Sequence, residues 1–249
     1  MKNTIILFSI LIIASLLFLI PSAKAQIIID IESGAVMAGY NDVRIPGDEG
    51  TLFSLTDDLN AKQTVFIRLR ASYTIKYRHT ISVLYAPLTL KSDGSATFPI
   101  NFEGTTFNAN TPLDASYTFN SYRITYRYDF VKNPKFEFGL GFTAKIRDAE
   151  ISLKGGGLSA EKTNVGFIPI LNFRLNWIMN EKFGILFEGD ALAAPQGRAE
   201  DVLLAATYKI SRKIALKAGY RILEGGADND EVYNFSLFNY AVMGFSISL

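Results

Sequence analysis

His79 is the only histidine in 249 residues, and there is no cysteine. Those two counts limit the covalent and acid–base chemistry open to the chain. Without cysteine there is no thiolate nucleophile, disulfide or thiolate metal ligand. His79 can act as a general base only where a substrate proton comes within hydrogen-bond reach. Two acidic segments, "NDVRIPGDEG" followed by "LTDDLN", and "GGADNDE" at Gly225 to Glu231, carry the oxygen ligands that calcium takes. The largest group of candidates is a set of charges at alternate positions: Arg68, Arg70, Arg123, Arg127, Asp129, Glu137, Lys145, Arg147, Arg174, Glu188, Asp190, Lys217 and Arg221. Asp30, Glu32, Lys76, Asp201 and Lys209 share their phase. Charges of both signs gathered on one surface form either a mutually neutralising network or a selectivity lining.

The elements that carry these charges have a period of two. In "SYRITYRYDF", from Ser121 to Phe130, one parity holds Tyr122, Ile124, Tyr126, Tyr128 and Phe130, and the other holds Arg123, Thr125, Arg127 and Asp129. Successive side chains of a strand point to opposite faces, so one face is aromatic and the other charged. "VFIRLRASYTIKY", "FEFGLGFTAKIR", "FGILFEGDA" and "IALKAGYRI" repeat the pattern, and no convincing amphipathic helix interrupts it. Ten strands are predicted, at 27–40, 64–77, 80–90, 117–130, 136–153, 164–178, 183–193, 201–210, 214–223 and 231–249. Short polar breaks alternate with longer links, which run from Asn41 to Lys62, Lys91 to Ser116, Lys154 to Thr163, Ala194 to Glu200 and Glu224 to Asp230. Short turns on one rim and long loops on the other is the layout of a transmembrane antiparallel up-and-down β-barrel, with eight strands plus a surface hairpin as the alternative count.

Which face meets lipid follows from composition and energy. Gly34, Gly139, Gly141, Gly166, Gly184, Gly219 and Gly244 share the parity of the charges. Glycine weakens a strand unless something approaches closely, and a narrow filled lumen needs that room while open water does not. The opposite assignment fails in a membrane, because an Arg or Lys facing lipid near the midplane costs about 2–4 kcal/mol. The rings therefore face hydrocarbon and the charges face the lumen. Tyr77, Tyr128, Trp177 and Tyr208 lie near strand ends on the short-turn side, where an interfacial aromatic girdle belongs.

Residues 1–25 read as a cleaved secretory signal: Lys2, an apolar run from Ile5 to Ile20, and a small-x-small site ending at Ala25. The run falls short of the roughly 20 residues of a spanning helix. Removing two of the 25 basic residues (Lys2 and Lys24) leaves 23 against 24 acidic ones, so the net charge moves from +1 to −1. That balance argues against a nucleic-acid partner, which needs a basic excess. Residues 26–249 form one domain.

Signal, alternating strands, asymmetric connections and the closing "YAVMGFSISL" together resemble the small bacterial outer-membrane β-barrel proteins. The resemblance is architectural, spans the mature chain, and carries no diagnostic motif. It implies the outer membrane of a diderm (Gram-negative) bacterium, contact with membrane lipid and lipopolysaccharide, and insertion by the barrel-insertion machinery. Such proteins commonly end in an aromatic residue, whereas this chain ends in Leu249 with Phe245 four residues earlier. Barrel hydrolases that deacylate lipid A, and barrel proteases of the omptin type, use a His near the outer rim. His79 lies in the "YRHT" turn on the opposite rim, so it reads as a turn residue and the chain as a non-enzyme without cofactor or metal. The acidic segments read as ordinary exposed turns, because "ADNDE" lacks calcium-loop spacing.

A barrel of about eight strands is filled by its own side chains, and ten add little room. The favoured reading is a non-enzymatic barrel with an envelope-structural or surface-interaction role. The alternative is a porin-like narrow channel, or a conduit for small hydrophobic solutes. Pro87 and Pro169 bear on the second, since proline cannot donate to a ladder. Either they lie at the frayed loop-side rim, or they mark a lateral opening of the kind implied by resemblance to barrels that carry hydrophobic compounds.

Overall fold

A side chain pattern of period two, aromatic on one side and ionic on the other, can be buried without penalty only if the sheet closes on itself. An open edge in hydrocarbon would leave backbone N–H and C=O groups unpaired at several kcal/mol each. The computed structural model describes residues 26–249 apart from 195 and 196. The signal sequence read at residues 1–25 lies outside the described residues.

The wall has ten strands: β1 Gln26–Arg44, β2 Thr64–Ile75, β3 His79–Ala86 continued by Thr89–Gly94, β4 Leu113–Lys132, β5 Phe136–Gly155, β6 Leu158–Ile178, β7 Phe183–Ala194, β8 Gly197–Lys209, β9 Ile214–Asp228 and β10 Tyr233–Ser248. Each is antiparallel to its sequence neighbours, and β10 pairs β1 from Ile28↔Ser248 to Arg44↔Tyr233, which closes the barrel. A bulge in β1 between Ala38 and Tyr40 shifts the register by one, so inward positions change from even to odd numbers above it. The links at 76–78, 133–135, 179–182 and 210–213 form the short-turn rim, together with both ends of the described chain. By the layout of outer-membrane barrels this rim is periplasmic. Lys76, expected on β2, falls in the first of these turns with φ of 48°.

The opposite rim departs from expectation. The sequence predicts long loops at 154–163, 194–200 and 224–230. Instead β5 and β6 continue to a two-residue turn at Gly156-Gly157, where φ is 59° and 80°, and β9 runs to Asp228. These residues look loop-like in sequence because the meaning of the alternation inverts along each strand. On β4, outward Tyr122, Ile124 and Tyr126 give way to outward Asp114, Ser116, Thr118 and Asn120, while inward Arg123 and Arg127 give way to Leu113, Ala115, Tyr117 and Phe119. On β5 the outward series changes from Phe142 and Ile146 to Asp148 and Glu150. The two changes are level, since Ile146 pairs Tyr122 and Asp148 pairs Asn120. Below that level the barrel meets lipid; above it the same strands meet water, and their inside is apolar as in a soluble barrel.

The two long links, 45–63 and 95–112, fold over this upper end. Ile45, Phe53, Leu55, Ile100, Phe102 and Phe107 are buried against Leu113, Ile151, Leu153 and Ala160. Phe53 and Phe102 meet edge to face at 6.1 Å. Backbone bonds Thr51 N–H to Asn101 O (2.9 Å) and Glu103 N–H to Ile45 O (3.0 Å) tie the two links into one cap.

Candidate functional site

The inward charges meet at mid-height in a layer drawn from six strands: Glu32 on β1, Arg68 on β2, Arg123 on β4, Asp190 on β7, Asp201 on β8 and Arg221 on β9. Three cations face three anions, and all six are buried. Asp201 is the hub. Its carboxylate accepts from Arg68 Nη2 at 2.9 Å, from Arg123 Nη2 at 2.6 Å and from Arg221 Nη1. Glu32 accepts from Arg221 Nη2 at 2.8 Å and from Lys217 Nζ at 2.6 Å. Asp190 takes Arg123 Nη1, the Thr143 hydroxyl at 2.6 Å and Asn172 Nδ2 at 2.9 Å. Burying charge is tolerable when each ion is paired, as all six are here; the Nε atoms of Arg68 and Arg221 are the positions left without a hydrogen bond.

Beneath the layer lie the other inward charges. Arg70 bonds Glu188 at 2.7 Å, Lys217 reaches Asp30 at 2.7 Å, and Arg174 bridges Glu137 and Glu188 at 3.4 Å each. Arg127 and Lys132 share Asp129. Glycine makes room for them: a Cβ on Gly139 would sit 2.5 Å from Asp129 Oδ1 and 2.9 Å from Arg127 Cδ. Lys145 and Arg147 stand apart from the network, on the side of the upper cavity. Lys145 Nζ lies 4.8 Å from the centre of the Phe119 ring, and Arg147 Nη2 donates to Asn164 Oδ1. All thirteen alternating charges thus point inward, but they divide into a plug, a lower set and this upper pair. Glu32 and Asp201, which hold the plug together, look no different in sequence from the other inward carboxylates. Their role depends on which strands meet across the lumen.

Two cavities flank the plug. The lower, about 330 Å³, is lined by Asp30, Arg70, Arg127, Glu137, Arg174, Glu188 and Lys217, with Arg212 and Lys213 at the short-turn rim. The upper, about 410 Å³, is lined by Lys145, Arg147, Phe119, Leu223 and Phe238 among others. They share no residue, and none of the six plug charges lines either.

The wall is incomplete at the upper cavity. The ladder between β6 and β7 runs only from Ile178↔Gly184 to Leu171↔Ala191, whereas β6 continues to Leu158. Pro169, two residues beyond the last pair, has no N–H to extend the ladder. Pro87 interrupts β3, and β2 pairs β3 only up to Leu69↔Tyr85. That second seam is filled by the buried side chains of Phe66 and Leu88.

The remaining candidates lie elsewhere. His79 begins β3 at the short-turn rim, with Nδ1 2.9 Å from the Tyr126 hydroxyl and its ring 5.0 Å from that of Tyr128. It belongs with the aromatic residues there. Tyr128 stacks edge-on against Phe130, Trp177 stacks on Phe136 at 6.1 Å, Tyr208 lies 4.9 Å from Phe183, and Lys132 Nζ sits 4.5 Å above the Tyr77 ring. In the acidic links, Asp58 accepts the Ser54 N–H and Asn229 accepts the N–H groups of Glu231 and Val232, which are turn-forming bonds. Among the described residues no three His, Cys, Asp or Glu side chains gather in a metal-binding group. On the outer face above the membrane band, Glu224 accepts from Arg198 Nε at 2.8 Å and from the Tyr40 hydroxyl. Burial pushes the Glu224 carboxyl up, but the bonds from Arg198 and Tyr40 outweigh it and hold the group below its usual value of 4.5.

No protein-family profile and no curated protein matches the chain. Solved structures do. The outer-membrane protease OmpT of Escherichia coli aligns over 92% of this chain and 98% of its own, with a TM-score of 0.57 and 10% identity. Ail, the attachment invasion locus protein of Yersinia pestis, aligns over 90% and 99% with a TM-score of 0.42 and 10% identity. The translocator domain of the autotransporter NalP from Neisseria meningitidis aligns over 98% and 95% with a TM-score of 0.43 and 13% identity. The last two likenesses are too loose to carry an argument, and the first shows fold alone. The chain has the fold of an outer-membrane β-barrel: ten antiparallel strands, closed, with charges inside and rings outside.

Proposed function

We propose that this protein is a non-enzymatic, non-conducting barrel of the outer membrane, with an envelope-structural or surface-interaction role. The observation that carries this reading is the plug. Six paired charges cross the lumen between two cavities that share no residue. An aqueous channel needs a continuous polar path, with ions held weakly enough to leave. What the barrel offers instead is its upper end, where extended hairpins and two tied links present an ordered surface beyond the lipid. Membrane lipid and lipopolysaccharide around the band are its expected neighbours, and the barrel-insertion machinery its expected route.

OmpT is a protease, but its likeness to this chain extends to fold only. The one imidazole here, His79, sits on the short-turn rim among aromatic residues, so no imidazole stands at the capped end to act as general base. The test is electrical. Purified barrel in a planar bilayer gives no sustained conductance, while R123A/D201A, which removes two of the six plug charges, conducts. Sustained current through the unaltered protein overturns the reading.

A further inference from the structure

Lys145 and Arg147 are the part of the lumen that the plug does not use. They lie two residues apart on the inward face of β5, about 7 Å along the strand. Lys145 is 2% exposed, and neither side chain has a carboxylate partner among the described residues. Arg147 Nε is buried without a hydrogen-bond partner. Among the described residues one carboxylate borders the cavity, that of Glu224, and it is directed to the outer face and taken by Arg198 and Tyr40. The Phe119 ring supplies a cation–π contact, which offsets only part of the cost of burying an ion. An anion between or above them would give both groups the charged partner that the lumen does not supply.

The rest of the cavity has an apolar side, with Asn229, Asn234 and Ser236 among the polar residues that complete its wall. Phe119, Ile168, Leu192, Leu223 and Phe238 form its sides, and its size of about 410 Å³ is within the range of small-molecule sites. Phe167 and Pro169 also line it, although their parity on β6 is outward. Beside them the wall has no β6–β7 ladder, along the stretch of β6 above Leu171. The lower part of the opening lies at the edge of the lipid band, since Phe167, paired with Ile146, is 68% exposed on the outer face. Unpaired backbone at this depth is tolerated only where it borders a cavity that can satisfy it.

We propose that the upper cavity binds an amphiphile with an anionic head and a single apolar tail, which enters from the outer leaflet through the gap between β6 and β7. The head lies between Lys145 and Arg147, and the tail runs along the apolar wall toward the gap. The plug forms the floor, so the site holds its ligand without passing it to the periplasmic side.

The test uses the full barrel in nanodiscs of zwitterionic phosphatidylcholine, with dansylaminoundecanoic acid as the fluorescent probe. Saturable binding is expected, displaced by dodecanoate or lysophosphatidate and not by dodecanol. The relative strength of the two displacers tells whether the head is a carboxylate or a phosphate. K145M/R147M weakens the probe by about tenfold or more, as expected for loss of a charge-assisted hydrogen bond. Gly166→Leu keeps both cations but fills the cavity, because a Cβ at Gly166 points at the Arg147 guanidinium 3.2 Å away; it also abolishes binding. Heat-modifiable mobility on gels establishes that each variant is folded. Displacement by dodecanol equal to that by dodecanoate, or unchanged affinity in either folded variant, overturns the proposal.

Discussion

Replacing Asp201 with asparagine is the sharpest perturbation of the plug. The side chain is 3% exposed and accepts from three guanidinium groups, of Arg68, Arg123 and Arg221. Each hydrogen bond to a charged group is worth about 1.5–3 kcal/mol. An amide keeps one acceptor oxygen, turns an NH₂ toward a guanidinium, and leaves three cations facing two anions. The remaining pairs soften the loss, since Arg123 retains Asp190 at 2.5 Å and Arg221 retains Glu32 at 2.8 Å. Removing one partner from a buried ion pair costs about 3–5 kcal/mol, and that is the expected destabilisation. It is a large part of a net stability of about 5–15 kcal/mol. Urea unfolding in liposomes, followed by the emission of Trp177, the sole tryptophan, measures it. The control is Lys162→Ala, whose pair with Glu103 at 2.8 Å is more than a quarter exposed on both sides and contributes no more than about 1 kcal/mol. If D201N unfolds within about 0.5 kcal/mol of the parent, or K162A loses as much, the plug is not what holds the lumen together.

The level at which lipid gives way to water on β5 is tested with two outward positions. Phe142→Arg, at a site 70% exposed within the band, costs about 2–4 kcal/mol, whereas Glu150→Arg, above it, costs about 0–1 kcal/mol. Equal costs in the same urea assay would refute the assigned boundary. Glu224→Gln tests the outer triad. Because the folded carboxyl is held below 4.5, its stabilisation is complete above that value and is lost as pH falls through the folded pKa. The parent should exceed E224Q by at most about 1 kcal/mol at neutral pH, given the exposure of Arg198, and the two should converge in acid. Hydrogen exchange of the β8–β9 hairpin reads this, and a difference that grows on acidification would contradict it.

How far the sequence carries depends on the kind of constraint. Period-two alternation in "SYRITYRYDF" assigns every side chain to a face without tertiary information, because a strand has only two faces. The cost of a lipid-facing arginine then decides which face is which. So the barrel, its ten strands, the inward charges and the inward glycines follow from local pattern and one energy. The strand ends above the membrane are not legible in the sequence, because polar outward residues such as Asp114 and Glu150 look like loop once lipid no longer demands rings outside.

What local pattern leaves open is partnership across the lumen. Asp190 and Asp201 face each other on paired strands and are equivalent in sequence. Asp201 becomes the hub because closure of the sheet brings β2, β4 and β9 around it. Lys145 lies directly across the ladder from Arg123, yet one is unpaired and the other is bonded to two carboxylates. The distances that separate these outcomes are set by strands far apart in the chain. Alternation therefore determines sidedness, which each residue inherits from its neighbours, while ion pairing and the gap beside Pro169 exist only once the sheet has closed, because they depend on which side chains and strand ends closure brings together.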